Sequence, residues 1–166
     1  MFKLIHDFSS SLIIISVAFC ASPIYAEIPF TQFVYPVMAP RKSGDFGKRK
    51  HPIILAVRHH NGIDLAAPTG APIRAVAEGV VVFADPYAKY GNLIVIDHGS
   101  KITTHYGHCH TIKVEPGAKV SAGQIIGTIG STGGSTGSHL HFEVRVSGFP
   151  KHPEKYLPGL TIEGAG

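Results

Sequence analysis

Two short clusters hold residue types that bind metals or move protons. His60-Asn-Gly-Ile-Asp64 places an imidazole four residues before a carboxylate, and His139-Leu-His-Phe-Glu143 places two imidazoles two residues apart. On a β-strand such a pair faces one side, so His139 and His141 project together while Leu140 and Phe142 enter the opposite face. Gly62, with Pro68 and Gly70 just beyond, argues against a helix through the first cluster. An extended or turning backbone must therefore bring His60 towards Asp64. Two imidazoles and one carboxylate with a fourth position open suit a catalytic zinc centre. Each cluster alone is a weak signal, because paired histidines are often merely solvated and a His beside an Asp is a common structural pair. Their co-occurrence in one small chain of 166 residues with 11 His, together with His108 in Tyr106-Gly-His108, favours the metal reading.

The elements that must position these residues are short strands. Gly79 to Ala84 and Asn92 to Asp97 are rich in β-branched residues and are separated by Asp85-Pro86 and Tyr90-Gly91, the pattern of a hairpin. Lys101 to His108, Thr111 to Val114, Gln124 to Ile129 and His139 to Val146 are further strand candidates, the last two split by a Gly/Ser/Thr loop at Gly130 to Ser138. No window of a dozen residues has capped helical periodicity. The chain is predicted to be all-β, an antiparallel sandwich or barrel. Composition agrees with one compact domain: 44% of residues are hydrophobic and 16% charged, too few charges for a disordered tail or a coiled coil. The net charge of +4 (15 Lys and Arg against 11 Asp and Glu) comes from scattered residues with no basic run of four, so nucleic acid is not an expected partner.

Residues 1–26 have the layout of a secretory signal peptide: Lys3, an apolar stretch around Ser11 to Phe19, and Ala26 before the expected cleavage. The apolar run is about eleven residues, short of the roughly 20 that a spanning helix needs, so no permanent membrane span is expected. A retained anchor or a lipid on Cys20 are the alternatives, and Phe19 before that cysteine disfavours the lipid. Cleavage would leave Cys109 as the one cysteine of the mature chain and exclude an intramolecular disulfide. Residues 27–40 read as a short lead-in and 41–166 as the domain, exported to the periplasm or cell envelope. Nothing in the pattern specifies an oligomeric state.

His60-Asn-Gly-Ile-Asp64, Tyr106-Gly-His108 and Gly130-Ser-Thr-Gly-Gly-Ser-Thr-Gly-Ser-His-Leu-His141 resemble the lysostaphin-type zinc metalloendopeptidases of peptidoglycan, also called LytM-domain proteins. Gly44-Asp-Phe-Gly-Lys-Arg-Lys-His-Pro52, Ala67-Pro-Thr-Gly-Ala-Pro72 and Ile96-Asp-His-Gly99 extend the match over about Pro36 to Pro158. The resemblance implies a lysostaphin-like, two-layer antiparallel fold with a groove along its large sheet (a duplicated hybrid motif). It implies that His60, Asp64 and His141 ligate one zinc ion, that His108 and His139 are a catalytic pair off the metal, and that the substrate is a peptidoglycan peptide. Cys109, His105, Gly134 and Ser138 depart from the family's usual residues, and the short segment from Ile53 to His59 implies a low groove wall. A non-catalytic member that binds the wall or activates another hydrolase is the competing reading; a cytosolic phosphotransfer carrier of related fold conflicts with the export segment.

Other residues have plainer expectations. His51, His59, His98, His105 and His152 are assigned to structure or solvent. His110 shares strand parity with His108 and could line the groove, although a plain structural role is favoured for it. Glu143 shares the parity of His139 and His141, and either orients one of them or forms a surface ion pair. Tyr106 is expected to pack or hydrogen-bond beside His108.

Overall fold

Thirteen β-strands and two single 3₁₀ turns make up the regular structure of the computed structural model, which describes residues 33–39, 41–50 and 57–157. The expected signal segment, His51 and most of the Ile53 to His59 segment lie outside the described residues. The strands are β1 (Arg41–Gly44), β2 (Gly47–Lys50), β3 (Val57–His60), β4 (Ile63–Ala66), β5 (Pro72–Arg74), β6 (Gly79–Pro86), β7 (Asn92–Asp97), β8 (Ile102–Cys109), β9 (Thr111–Ile112), β10 (Lys119–Val120), β11 (Ile125–Thr128), β12 (His139–Val146) and β13 (Phe149–Lys151). Every pairing is antiparallel. A large sheet runs in the order β1-β4-β12-β8-β7-β6-β10 with β13 beside β12; β5-β11-β9 form a small sheet and β2-β3 a separate hairpin. No helix among the described residues is long and apolar enough to cross a membrane.

Alternation explains how the large sheet has two unlike faces. Ile63 and Leu65 of β4, Ile94 and Ile96 of β7, Tyr106 of β8, and Leu140, Phe142 and Val144 of β12 turn inward and are fully buried. Ile73 of β5 and Ile126 of β11 join them in one continuous core, which makes the small sheet the cover of that face. Each such aliphatic side chain removed from water contributes about 1.5–3 kcal/mol. The intervening residues Asp64, His139, His141 and Glu143 therefore share the other face. Phe33 and Val37, within the expected lead-in, are buried in the same core, and Val34 N–H and Arg74 N–H tie that segment to the domain through Val76 O and Pro36 O.

The predicted hairpin forms as β6 and β7, paired from Val80 with Asp97 to Pro86 with Asn92. One irregularity matters for the site. Asn92 pairs with Cys109 while Ile94 pairs with Tyr106, so two steps along β7 match three along β8. The extra residue is a β-bulge, and His108 within it has φ of +63°.

Candidate metal centre

His60 ends β3, Asp64 sits in β4, and His141 sits in β12 directly opposite Asp64 in the sheet register. Their donor atoms form a near-equilateral triangle. His60 Nε2 lies 2.9 Å from His141 Nδ1, His60 Nε2 lies 3.1 Å from Asp64 Oδ1, and His141 Nδ1 lies 3.0 Å from Asp64 Oδ1. A tetrahedral zinc with bonds of 2.0–2.1 Å has ligand-to-ligand edges of about 3.3 Å, and the triangle comes within a few tenths of an ångström of that size. Two nitrogen donors and one carboxylate oxygen also match zinc chemistry. The residues present fit the ion.

Each of the three side chains is held from behind. His60 Nδ1–H donates to the Asp45 carbonyl at 2.7 Å, which leaves Nε2 for the centre. Arg49, on β2, lies against the His60 ring and donates from Nη2 to Asp64 Oδ2 at 2.8 Å, the carboxylate oxygen opposite the one in the triangle. Gly44 makes that placement possible, because a Cβ there would stand 2.3 Å from Asp64 Oδ2 and 2.4 Å from Arg49 Nη2. Burial pushes the Asp64 carboxyl up, but the close contacts of His141, His60 and the Arg49 guanidinium more than reverse this and hold it well below the usual carboxylate range. His141 Nε2 faces Glu143 Oε1 at 2.9 Å. Burial alone would push the His141 pKa down, yet Asp64 and Glu143 on either side raise it.

Beside the triangle stand two more imidazoles. The rings of His108 and His139 meet edge to face with centroids 4.8 Å apart, and His108 lies 5.8 Å from His141. His139 Nε2 is 3.6 Å from Asp64 Oδ1. One loop sets the orientation of both: His108 Nδ1–H donates to Thr132 O at 2.8 Å, and His139 Nδ1–H donates to Gly137 O at 2.8 Å. Each carbonyl accepts the Nδ1–H, so the neutral form of either ring has its lone pair on Nε2. Burial, reinforced by the neighbouring imidazoles, lowers the His108 pKa from its ordinary value. Thr132 also accepts Asn92 N–H and donates to Cys109 O through its hydroxyl, pinning the loop to the β8 bulge.

All five histidine and aspartate positions open on one cleft of about 420 Å³, with Arg49, Lys89, Tyr90 and Ser135 on its walls. His59 lines it too, with its ring against Phe46 at 5.0 Å. Three expectations change. His110 is exposed and stands outside the cleft, because the bulge at His108 ends the parity that would have aligned them. Tyr106 is fully buried on the core face, where its Oη accepts Val76 N–H and its ring packs on Phe142. Glu143 is no surface partner: its side chain is 0% exposed. His98 has the structural role assigned to it, donating from Nδ1 to Glu78 O and meeting Thr104 Oγ1 with Nε2. Cys109 is buried and its thiol is pushed up to about 12 by that burial, which leaves it inert. Sequence reasoning passed over Arg49, Tyr90 and Thr132 as site residues. Arg49 had its place in a motif as a signal, whereas Tyr90 and Thr132 are turn and loop residues that only tertiary contact brings to the histidines.

An all-antiparallel sheet with a His, Asp and His triangle flanked by two further histidines defines a zinc-metallopeptidase class of site. Residues 58–153 match the model of peptidase family M23, and the chain belongs to that family. Over 120 residues it is 44% identical to the DD-carboxypeptidase/endopeptidase Mpg of Neisseria meningitidis, covering 72% of this chain and 28% of that protein. It is 44% identical over 123 residues to the peptidoglycan DD-endopeptidase ShyA of Vibrio cholerae, covering 73% and 29%. The chain thus spans less than a third of the length of these curated relatives. A crystal structure of a zinc-containing peptidase from Vibrio cholerae superposes with a TM-score of 0.69 at 42% identity, over 73% of this chain and 39% of that one.

Proposed function

We propose that this chain is a zinc-dependent endopeptidase of the cell envelope that hydrolyses D,D-peptide cross-links of bacterial peptidoglycan. One zinc ion is held by His60, Asp64 and His141, and His108 and His139 form the catalytic pair. The observation that carries this reading is the triangle of donor atoms with edges of 2.9–3.1 Å, beside two imidazoles whose Nδ1–H groups are engaged by loop carbonyls. Membership of family M23 and similarity to relatives named for peptidoglycan cleavage support the substrate class. Export to the envelope rests on the signal-like residues 1–26 and on where such a substrate lies.

Zinc bound there supplies Lewis acidity at neutral pH, which an inert amide requires. The chain's own residues do the proton work. His108, kept neutral by burial, accepts a proton from the attacking water at Nε2. The proton that His108 takes from the water is then returned to the departing amine, with His139, whose ring meets that of His108 at 4.8 Å, as the second group able to carry it at Nε2. Asp64, ionised through its hydrogen bonds, balances positive charge at the centre.

Incubation of the protein with purified peptidoglycan, with and without a chelator, followed by mass analysis of the soluble fragments, tests the reading. Fragments with new amino termini at a D,D-bond, lost on chelation and restored by zinc, are expected. A folded, zinc-loaded protein that releases nothing overturns it in favour of a wall-binding or hydrolase-activating role.

A further inference from the structure

Glu143 carries a fully buried negative charge that neither ligates nor reaches substrate in the mechanism above. Four donors surround its two oxygens. Oε1 accepts His141 Nε2–H at 2.9 Å and the Tyr90 hydroxyl at 2.7 Å; Oε2 accepts Arg145 Nε–H at 2.7 Å and is ion-paired with Arg145 Nη2 at 2.7 Å. Arg145 Nη2 also donates to Tyr90 Oη at 3.1 Å, which closes a ring of three side chains around the carboxylate. Strand alternation builds the arrangement, because His141, Glu143 and Arg145 are successive residues on one face of β12.

We propose that Glu143, clamped by Arg145 and Tyr90, is a positioning residue that keeps the proton of His141 on Nε2 and so presents Nδ1 as the metal-binding atom. The inference rests on the zinc reading of the site and adds the device that selects one nitrogen of this ring. The need for a device follows from the geometry. His141 Nδ1 lies 3.0 Å from Asp64 Oδ1, so a neutral ring with its proton on Nδ1 would donate to Asp64 and close the ligand position. Two carboxylates compete for one imidazole proton, one on each side. Asp64 keeps 14% of its side chain open to the cleft, whereas Glu143 is 0% exposed and so closed to a replacement for the His141 donor. Leaving that acceptor short of a partner costs more than leaving Asp64 short of one. Arg145 and Tyr90 fix the carboxylate's rotation, so that Oε1 stays aimed at the ring.

Two readouts test this. The first is the protonation pattern of His141 by ¹⁵N NMR of the metal-free protein at pH 9; the second is zinc affinity by competition with a chelator. In the wild type the Nε2–H tautomer is expected. Glu143→Gln, nearly isosteric, should mix in the Nδ1–H form and weaken zinc binding about 10- to 100-fold. Tyr90→Phe removes one hydroxyl, leaves the Glu143–Arg145 pair in place, and should shift both readouts in the same direction by several-fold; it carries the test if Glu143→Gln does not fold. A wild-type His141 with its proton on Nδ1, or folded variants that bind zinc as the wild type does, would overturn the proposal. A wild type that takes up no zinc would instead overturn the zinc reading, and the tautomer measurement would still judge Glu143.

Discussion

His108 Nδ1 lies 2.8 Å from the carbonyl oxygen of Thr132, although strict alternation along β8 would turn His108 into the core beside Thr104 and Tyr106. The bulge rotates it out, and Thr132 catches it. Gly91, at φ +62°, leaves room for Thr132, since a Cβ there would stand 2.3 Å from Thr132 Oγ1. Gly91→Ala is therefore expected to destabilise the fold by about 1–3 kcal/mol. It should also lower turnover by more than about tenfold while zinc content stays at the wild-type level. Thermal unfolding, peptidoglycan cleavage and metal analysis on one preparation check all three.

Metal ligation and proton transfer are assigned to different side chains, and substitutions should separate them. His60→Ala and His141→Ala remove corners of the triangle and should abolish zinc retention after dialysis. His108→Ala leaves the triangle intact; zinc should be retained and turnover should fall by about 10²- to 10⁴-fold. Loss of zinc in the His108 variant would reassign that residue to the metal.

Chelation should inactivate the protein without unfolding it. Asp64 and His141 stand on strands joined by an unbroken backbone ladder over a core that contains no metal ligand. The metal-free protein should keep its far-ultraviolet β spectrum. With free zinc at a hundredfold excess over its dissociation constant, the bound form should gain about 2.7 kcal/mol, a rise of about 5–10 °C in Tm. Scanning calorimetry with and without chelator measures the difference.

His105 makes stability fall in acid. It is half-buried and stands between Val95 and Glu143 in the sheet register, and partial burial, with the nearby Arg145 charge, lowers its pKa to about 4. In the unfolded chain it titrates near 6.5, so between pH 6.5 and 4 the unfolded state holds a proton that the folded state refuses. Stability is therefore lost as pH falls through that window, by about 3 kcal/mol from this residue, and the loss levels off below pH 4. Urea midpoints at pH 7 and pH 4 should differ less in His105→Leu than in the wild type. An equal acid loss in both would show that His105 is not its source.

Much of the architecture was legible in residue order. The β6–β7 hairpin announced itself through two β-branched runs and the turn residues between them. The shared direction of His139 and His141 followed from the period of two, with Leu140 and Phe142 on the core side as that period requires. Glu143 and Arg145 continue the same row, but parity cannot distinguish an enclosed carboxylate from a solvated one, because enclosure depends on what packs above it. Tyr90 does that, from a 3₁₀ turn some fifty residues away in sequence. Arg49 reaches Asp64 through the β2–β3 hairpin, and no periodic pattern relates the two.

By itself, the sequence determined the strand-forming segments, the two faces of β12 and the residue types able to hold zinc, because these depend on local preference and on alternation over a few residues. Tertiary structure alone decided which nitrogen each histidine offers and how His108, named by its motif, is turned out of the core. Those outcomes depend on a bulge created by the register of two strands, on carbonyls presented by the Gly130 to Ser138 loop, and on a carboxylate shut away from water. Each is a contact between residues far apart in the chain, which no local pattern encodes.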